Sequence, residues 1–474
     1  MEKKQRLKYI ISDTLTAMVA WSLLFLFRKV ALEHTGFSDV ADVFIDSNYW
    51  LGLILVPAGW LTLYTIQGTY RNVLRRARLT EFLDTLLASL IGVVIIFFLL
   101  LVDDHISTYL NYYASFLFLF GIHFTLTYIP RLIITSHTVR AVHTRRIGFP
   151  SIMVGCGPRA LQTYNDIENQ ETYSGNLFVG YIDMGSETAP QDSELDKIMP
   201  RLGTLDDLRR VAKEHNIEEA IIALEPHQRE LLQQALLAIS SCGDIIIKIT
   251  PDARDISVGA IHQRSIFHSP FIVINNRLMP EWQYSLKRIA DIVISLLALI
   301  ILSPVYLVTA IIVKATSPGP VFYAQERIGY HGRPFKMHKF RSMYVDAEQA
   351  GPALSKDDDP RITPFGRFMR KVRLDEIPQF YNVLRGTMSL VGPRPERQFY
   401  IDQIVKRAPE YLLLQRIKPG ITSWGQVRYG YASTVDEMVE RLRYDLLYLD
   451  NMSLTTDLKI LLYTVIIIFQ GRGK

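Results

Sequence analysis

Residues Ile289 to Val313 read IADIVISLLALIILSPVYLVTAIIV, and how this run meets a membrane decides where everything after it lies. By length it could cross a bilayer, for which about 20 apolar residues suffice. Two features oppose a crossing. Lys287 and Arg288 flank one end, and Lys314, Arg327, Arg333 and Lys336 flank or follow the other. Basic flanks prefer the cytoplasm, so both ends belong on one side. In the middle sits Ser303-Pro304. Proline removes a backbone donor and bends the helix, and the serine hydroxyl can satisfy a freed carbonyl. The spacing predicts a re-entrant hairpin over residues 285–314, broken at Ser303 and Pro304, with Lys287 and Arg288 as an interfacial basic pair.

Four further apolar segments lie upstream: Ile10–Phe27, Tyr49–Ile66, Phe82–Val102 and Leu110–Ile134. Each is close to a bilayer's span, although Pro57 and Gly59 interrupt the second. The first follows MEKKQRLKYI without a small-residue cleavage site, which reads as an uncleaved membrane helix. Basic loops (Lys3, Lys4, Arg6, Lys8; Arg71, Arg75, Arg76, Arg78; Arg131, Arg140, Arg145, Arg146) alternate with acidic ones (Glu33, Asp39, Asp42, Asp46; Asp103, Asp104). Both ends of a four-span bundle over 1–140 are therefore expected in the cytoplasm. The spans hold few ionisable groups, His123 being one. An anchor or scaffold is expected over a transport pathway, which needs such groups.

Composition agrees with a membrane protein carrying soluble parts. The chain has 474 residues, of which 49% are hydrophobic and 21% charged. A net charge of only +5 gives no global basic field for nucleic acid, and two cysteines, Cys156 and Cys242, support neither a disulfide framework nor a cysteine metal site. No internal repeat stands out.

Residues 141–278 alternate strand-like runs (Ile147–Val154, Leu177–Ile182, Ala220–Leu224, Ile245–Ile249, Phe271–Ile274) with helical patterns (Leu205–His215, Gln228–Ser240). Such alternation predicts a parallel, Rossmann-like α/β sheet. Gly155, Gly157 and Ala160 follow the first strand as in a dinucleotide fingerprint, with Asp183 placed as the ribose acid. Against cofactor binding, Pro158 lacks an N–H where the pyrophosphate would be held, and no Tyr-x-x-x-Lys pair is present. A structural or regulatory domain is expected.

Residues 279–474 carry the charged centre. Arg361 to Glu396 reads RITPFGRFMRKVRLDEIPQFYNVLRGTMSLVGPRPE. Cations surround the adjacent acids Asp375 and Glu376, a pattern suited to an anionic substrate handled with a divalent metal. Arg367, Arg370 and Lys371 share a helix face. Pro378 opens a helix that runs to about Leu384 and stops at Gly386, so the two acids sit at a helix N-terminus, where a carboxylate stays ionised. Lys339 and Arg341 alternate about Phe340 and are placed on one face of a strand. Asp357-Asp358-Asp359 reads as a solvated loop, and His331 and His338 as structural. Leu446 to Gln470 reads as a helix lying in the membrane interface.

The stretches KRIADIVIS, LSP, PGPVFYAQERIG, KFRSM, DDPRITPFGRFMRK, LDEIPQFYNVLRGTMSLVGPRPE and KPGITSWGQV, in this order, resemble the catalytic domain of the monotopic polyprenol-phosphate phosphoglycosyl transferases, also called bacterial sugar transferases. They cover nearly all of the last two-fifths of the chain. The membrane bundle and Rossmann-like part resemble the long-form members that initiate exopolysaccharide or O-antigen synthesis. The resemblance implies transfer of a sugar-1-phosphate from a UDP-sugar to undecaprenyl phosphate with release of UMP. It implies Asp375 as the nucleophile, forming a phosphosugar–aspartate intermediate, and Glu376 as its helper in holding Mg2+. It implies Arg394 and Arg370 as phosphate-binding, and Arg428 after Trp424-Gly425-Gln426-Val427. The expected site is at the cytoplasmic face of the bacterial inner membrane, among membrane lipids, in a chain that dimerises through its soluble domains. Two other functions fit parts of the sequence: an NAD-dependent nucleotide-sugar modifying enzyme run by the middle domain, and a non-catalytic scaffold of polysaccharide assembly. Pro158 and the missing Tyr-x-x-x-Lys pair argue against the first, and the intact Asp375-Glu376 pair and Pro-Arg-Pro turn against the second. No residue selects the sugar.

Overall fold

The computed structural model describes residues 2–32, 46–101, 109–170, 172–185, 194–225, 228–240, 242–243, 245–250, 271–274, 278–347 and 359–470. Chain contacts divide it into two units, Met1–Gly148 with Thr172–Gly175, and Phe149–Glu171 with Asn176–Lys474.

The first unit holds four helices, α1 (Glu2–Phe27), α2 (Ser47–Gln67), α3 (Arg78–Ile96) and α4 (Tyr109–His143), all long and apolar enough to cross a membrane. Pro57 lies inside an unbroken α2. Two tryptophans knit the bundle, and each needs a glycine: a Cβ at Gly52 or Gly92 would strike the indole of Trp21 or Trp60. Small residues allow such close helix packing in membranes.

The spans are more polar than the sequence suggested. Arg131, placed in a basic loop by the sequence, is fully buried within α4. Its Nε and Nη2 donate to the two oxygens of Asp13 from α1, both at 2.8 Å. Nη1 lies 3.7 Å from Glu81 of α3, and the guanidinium sits 4.1 Å above the Tyr64 ring of α2. Tyr70 donates to Asp13 at 2.8 Å and Tyr9 to Glu81 at 3.2 Å. A buried ion pair contributes little net stability, but removing one partner strands the other at a cost of about 3–5 kcal/mol. This network joins all four helices at one level. It also takes Arg131 out of the loop charges that argued for orientation.

The second unit begins with β1 (Phe149–Val154), α5 (Pro158–Glu168), β2 (Asn176–Asp183), β3 (Arg201–Thr204), α6 (Leu208–Glu214), β4 (Glu219–Ile222), α7 (Arg229–Ser240), β5 (Ile246–Ile249) and β6 (Ile272–Ile274). The six strands form one sheet in the order β3-β2-β1-β4-β5-β6. All neighbours are parallel except β6, which runs antiparallel to β5. This is the expected Rossmann-like sheet. The short edge strand β3 escaped the sequence reading because four residues, two of them Arg201 and Gly203, show no apolar alternation.

Helices α8 (Glu281–Ile301) and α9 (Ser303–Thr316) follow, bent by 61° at Leu302. The break has the predicted chemistry: Pro304 lies in the first turn of α9, and the Ser303 hydroxyl donates to the Ile300 carbonyl at 2.8 Å. Apolar side chains along the pair are exposed, Ile301 at 70% and Leu307 at 64%. The basic pair at the base differs from expectation. Lys287 is buried; its Nζ donates to Asp457 at 2.5 Å and to the Val391 carbonyl at 2.9 Å. Arg288 donates to the carbonyls of Val383 and Leu384 at 2.7 and 2.9 Å. Both cations bind the protein's own groups, because the helix end is packed against the domain that follows.

That domain contains β7 (Phe322–Ile328), β8 (Pro334–Phe340), α10 (Pro364–Lys371), α11 (Gln379–Arg385), β9 (Ser389–Val391), α12 (Gln398–Val405), β10 (Gly420–Thr422), α13 (Trp424–Arg428), α14 (Val435–Asp450) and α15 (Leu454–Phe469). β7 and β8 form an antiparallel hairpin, and β9 and β10 a parallel pair. The C-terminal apolar run is two helices: Leu446 belongs to α14, and α15 begins only at Leu454. Ile460 of α15 is buried in the domain core, whereas Leu458 and Leu462 are exposed.

Candidate active site

The turn between α10 and α11 presents the two acids. Thr363 caps α10 by accepting from the Gly366 N–H at 2.9 Å, with Pro364 in the first turn. The chain leaves α10 through Arg373, whose φ of 60° is left-handed. A non-glycine residue is strained there by about 1–2 kcal/mol. The reversal puts Leu374–Glu376 into a 3-10 turn that buries both carboxylates. α11 then starts one residue after Pro378 and stops at Gly386 in the left-handed region, as expected.

Asp375 and Glu376 are no longer equivalent. Glu376 accepts from Lys339 Nζ at 3.0 Å, from Arg373 Nη1 at 3.2 Å and from both Arg394 Nη atoms at 3.3 Å. Tyr431 braces this clamp: its ring lies 5.2 Å from Arg373 and 5.1 Å from Arg394, and its hydroxyl accepts from Arg394 Nη2 at 3.4 Å. Burial pushes the Glu376 carboxyl up, but Lys339, Arg394 and Arg373 outweigh it and hold the group well below the usual carboxylate range. Among the described residues none donates a hydrogen bond to Asp375. Burial pushes the Asp375 carboxyl above its ordinary value, opposed by Lys339 and Arg370 and reinforced by Glu376. Both acids are buried alike; the cations that donate to Glu376 and not to Asp375 set them apart.

Asp375 faces a cleft of about 480 Å3. Among the described residues its walls carry nine cations (Arg327, Lys339, Arg341, Arg361, Arg367, Arg370, Arg394, Arg397, Arg441) against two acids, Asp375 and Glu396. Such an excess draws and concentrates anions. Glu396 accepts from Arg441 at 2.7 Å and Arg327 at 3.0 Å, which together overcome burial and keep its carboxyl low. Arg370 donates to Ser342 Oγ at 3.0 Å. Arg341, one residue past β8, lines the cleft while its Nη atoms donate to the Pro318 and Ser317 carbonyls at 2.7 and 2.6 Å.

Other sequence expectations resolve differently. Arg428 is not among the cleft residues; its guanidinium covers Trp424 and Tyr463 at 4.9 and 5.4 Å. Lys371 is exposed and is not among the residues lining the cleft. Asp357 and Asp358 lie outside the described residues. Asp359 is buried and paired with Arg361 at 2.6 Å; the Arg361 hydrogen bond holds its carboxyl at about 2. His338 donates its N–H to Asn382 at 3.0 Å, a structural role. Glu396, Arg397, Arg441 and Tyr431 were missed. Glu396 and Arg397 adjoin the Pro-Arg-Pro turn and could have been suspected; Tyr431 carries no sequence signal.

Among the described residues no three His, Cys, Asp or Glu side chains cluster as a metal site. With Glu376 already engaged by three cations, Asp375 is the carboxylate left open to a metal. One carboxylate suits magnesium only in the form shared with substrate phosphates and water.

In the Rossmann-like part, Gly155 and Gly157 follow β1 and Asp183 ends β2. Gly155 has φ +118°, and a Cβ there would meet the Ala223 carbonyl at 2.5 Å. Asp183 is ion-paired with Arg201 at 2.7 Å. The Glu225 carboxylate accepts from the Arg159 N–H at 2.9 Å, occupying the helix N-terminus where a pyrophosphate would bind.

Two family models match the chain: bacterial sugar transferase over residues 282–471 and CoA-binding domain over residues 65–241. An uncharacterized sugar transferase of Haemophilus influenzae is 30% identical across 97% of both chains. The chain belongs to the bacterial sugar transferase family. Within the family, it is 42% identical to the UDP-N-acetylgalactosamine-undecaprenyl-phosphate N-acetylgalactosaminephosphotransferase of Aeromonas hydrophila, over 41% of this chain and 47% of that one. It is 35% identical to the UDP-glucose:undecaprenyl-phosphate glucose-1-phosphate transferase of Escherichia coli, over 57% of this chain and 58% of the relative. The match thus spans about half the length of these two relatives. The family-model match over residues 282–471 includes the whole clamp around Glu376 in this sugar transferase.

The strained turn gives a direct structural prediction. Arg373→Ala loses the clamp and keeps the strain; Arg373→Gly loses the clamp and relieves it. In thermal unfolding of the detergent-solubilised protein, the glycine variant should be the more stable by about 1 kcal/mol. Equal or reversed stabilities would show that the turn does not depend on a left-handed residue.

Proposed function

We propose that this sugar transferase moves a sugar-1-phosphate from a UDP-sugar to undecaprenyl phosphate, releasing UMP, as the first membrane step of exopolysaccharide, O-antigen or capsule synthesis. The observation that carries this reading is the division of the acid pair: Glu376 clamped by Lys339, Arg373 and Arg394, and Asp375 open to a cation-lined cleft. The names of the two catalytically described relatives support it.

In this mechanism a carboxylate oxygen of Asp375 attacks the phosphorus that bears the sugar. The bond to the UMP oxygen breaks, and UMP leaves with that electron pair. A phosphosugar–aspartate ester remains. An oxygen of the lipid phosphate then attacks the same phosphorus, and Asp375 departs as a carboxylate. Splitting one transfer into two displacements is the advantage of covalent catalysis. Phosphoryl transfer otherwise asks for positioning and charge neutralisation, which Arg370 and Arg394 beside Asp375 supply. Glu376 holds the cations in place; it is not the attacking group. Magnesium, when bound by Asp375 and the substrate diphosphate, supplies further neutralisation of phosphate charge.

The bent α8–α9 pair is read as a re-entrant hairpin, which keeps the domain on the cytoplasmic face of the inner membrane, where both phosphate substrates meet. Its exposed apolar surface and the Ser303-Pro304 break support this. The Rossmann-like domain is read as structural or regulatory, because Glu225 and Arg201 already satisfy the groups a dinucleotide would use.

Two measurements test these points. Purified protein with Mg2+, undecaprenyl phosphate and a UDP-sugar panel should release UMP, and Asp375→Asn should lower the rate by at least three orders of magnitude. Turnover near wild type by that variant would remove Asp375 as the nucleophile. Single cysteines near Glu281 and near Thr316 should both label from the cytoplasmic side only; periplasmic labelling of either would show that the helix pair crosses.

A further inference from the structure

The cleft has two chemically different walls. On one side lie residues tied to the bent helix pair. Tyr306 of α9 packs on Phe340 and Phe322, with ring centroids 4.8 and 5.8 Å away. Val313 of α9 shares a buried cluster with Met369 of α10 and with Ile377. α10 therefore rides on the helix pair. It aims Arg367 and Arg370 into the cleft. α10 and the segment before it also expose apolar side chains: Phe368 at 53%, Tyr344 at 42% and Val345 at 68%. Tyr344 and Val345 themselves line the cleft. Arg367 is exposed and makes no ion pair among the described residues.

The opposite wall comes from α12, α14 and the loop before α14. Tyr400, Ala432 and Met438 line it and belong to a separate buried cluster that contains no residue of α8 or α9. Its cations are Arg397 at the start of α12 and the Arg327–Glu396–Arg441 group. Asp375 lines the same cleft, within electrostatic reach of Arg370 and Arg394.

We infer that the two phosphate-bearing substrates occupy opposite walls: the lipid phosphate is met by Arg367 on α10, and the nucleotide by Arg397 on the α12–α14 wall. This rests on the transfer reading above. A polyprenyl chain must keep its tail on apolar surface, because leaving such surface costs about 25 cal/mol per Å2. The α10 wall is the one that packs on the apolar helix pair and sets exposed apolar side chains beside a cation. The nucleotide is soluble and needs no such path. Arg370 and Arg394, adjacent to Asp375, serve whichever phosphorus is reacting, and Arg367 and Arg397 are positioning residues specific to one substrate each.

The test is steady-state kinetics of the full-length protein in a neutral detergent, where no anionic bilayer lipid competes for Arg367. The substrates are undecaprenyl phosphate and whichever of UDP-glucose and UDP-N-acetylgalactosamine the wild type turns over. Loss of one charged hydrogen bond corresponds to roughly a tenfold change. Arg367→Gln should raise KM for undecaprenyl phosphate about tenfold and KM for the UDP-sugar less than twofold. Arg397→Gln should do the reverse, and Arg367→Lys should recover most of the loss. Equal effects on both KM values, or the opposite split, would overturn the wall assignment while leaving the transfer reading intact. Absence of wild-type UMP release with every UDP-sugar would remove the transfer reading and the assignment together. Melting temperatures of the three variants separate either outcome from misfolding.

Discussion

A carboxylate buried without compensation is one of the most costly groups a fold can contain, and in this chain Glu376 is compensated three times over. Lys339 arrives from a strand, Arg373 from a strained turn and Arg394 from the Pro-Arg-Pro turn. Each of these cations would be expensive to bury alone; gathered around the single Glu376 carboxylate they leave positive charge in excess at the turn. The consequence falls on Asp375. It sits in the same turn, is equally buried, and has no hydrogen-bond donor among the described residues. A carboxylate that is desolvated, flanked by cations and not hydrogen-bonded retains its nucleophilicity.

The same logic of internal compensation holds the bent helix pair on the domain. Lys287 is buried against Asp457, to which Tyr448 also donates at 2.6 Å. Burial pushes the Asp457 carboxyl up, and Lys287 works against it. Asp291, one turn along α8, accepts the Leu390 N–H at 3.0 Å, and Arg288 closes the last carbonyls of α11, which end with unsatisfied acceptors. These bonds fix α8 against β9 and α11. α11 follows directly from the acid pair. The apolar α8 and the turn that carries the acid pair are therefore tied to one another, as the proposed reaction between a soluble and a membrane-held substrate would require.

Much of this was legible in the sequence. Helix spans and the Ser303-Pro304 break follow from hydropathy and from proline's missing donor, which act locally. The parallel sheet follows from the alternation of strand and helix patterns. What escaped involves contacts between distant residues. Arg131 reads as a loop cation until Asp13, 118 residues away, is seen to receive it. Lys287 and Arg288 read as interfacial because a flanking cation ordinarily is, and only packing shows that their partners are internal. Arg428 lies in a matching motif, yet its charge is spent on two aromatic faces. The two acids were interchangeable by charge pattern; the structure tells them apart by who donates to whom.

The central claim is that Asp375 carries the sugar phosphate between two displacements. It is tested most directly by incubating the purified protein with a UDP-sugar and Mg2+ in the absence of undecaprenyl phosphate, quenching in acid, and mapping covalent mass by peptide mass spectrometry. The account predicts one sugar-phosphate adduct, on the peptide containing Asp375, that disappears when the lipid phosphate is added before the quench. An adduct on another residue, or UMP formation without any adduct under single-turnover conditions, would contradict it.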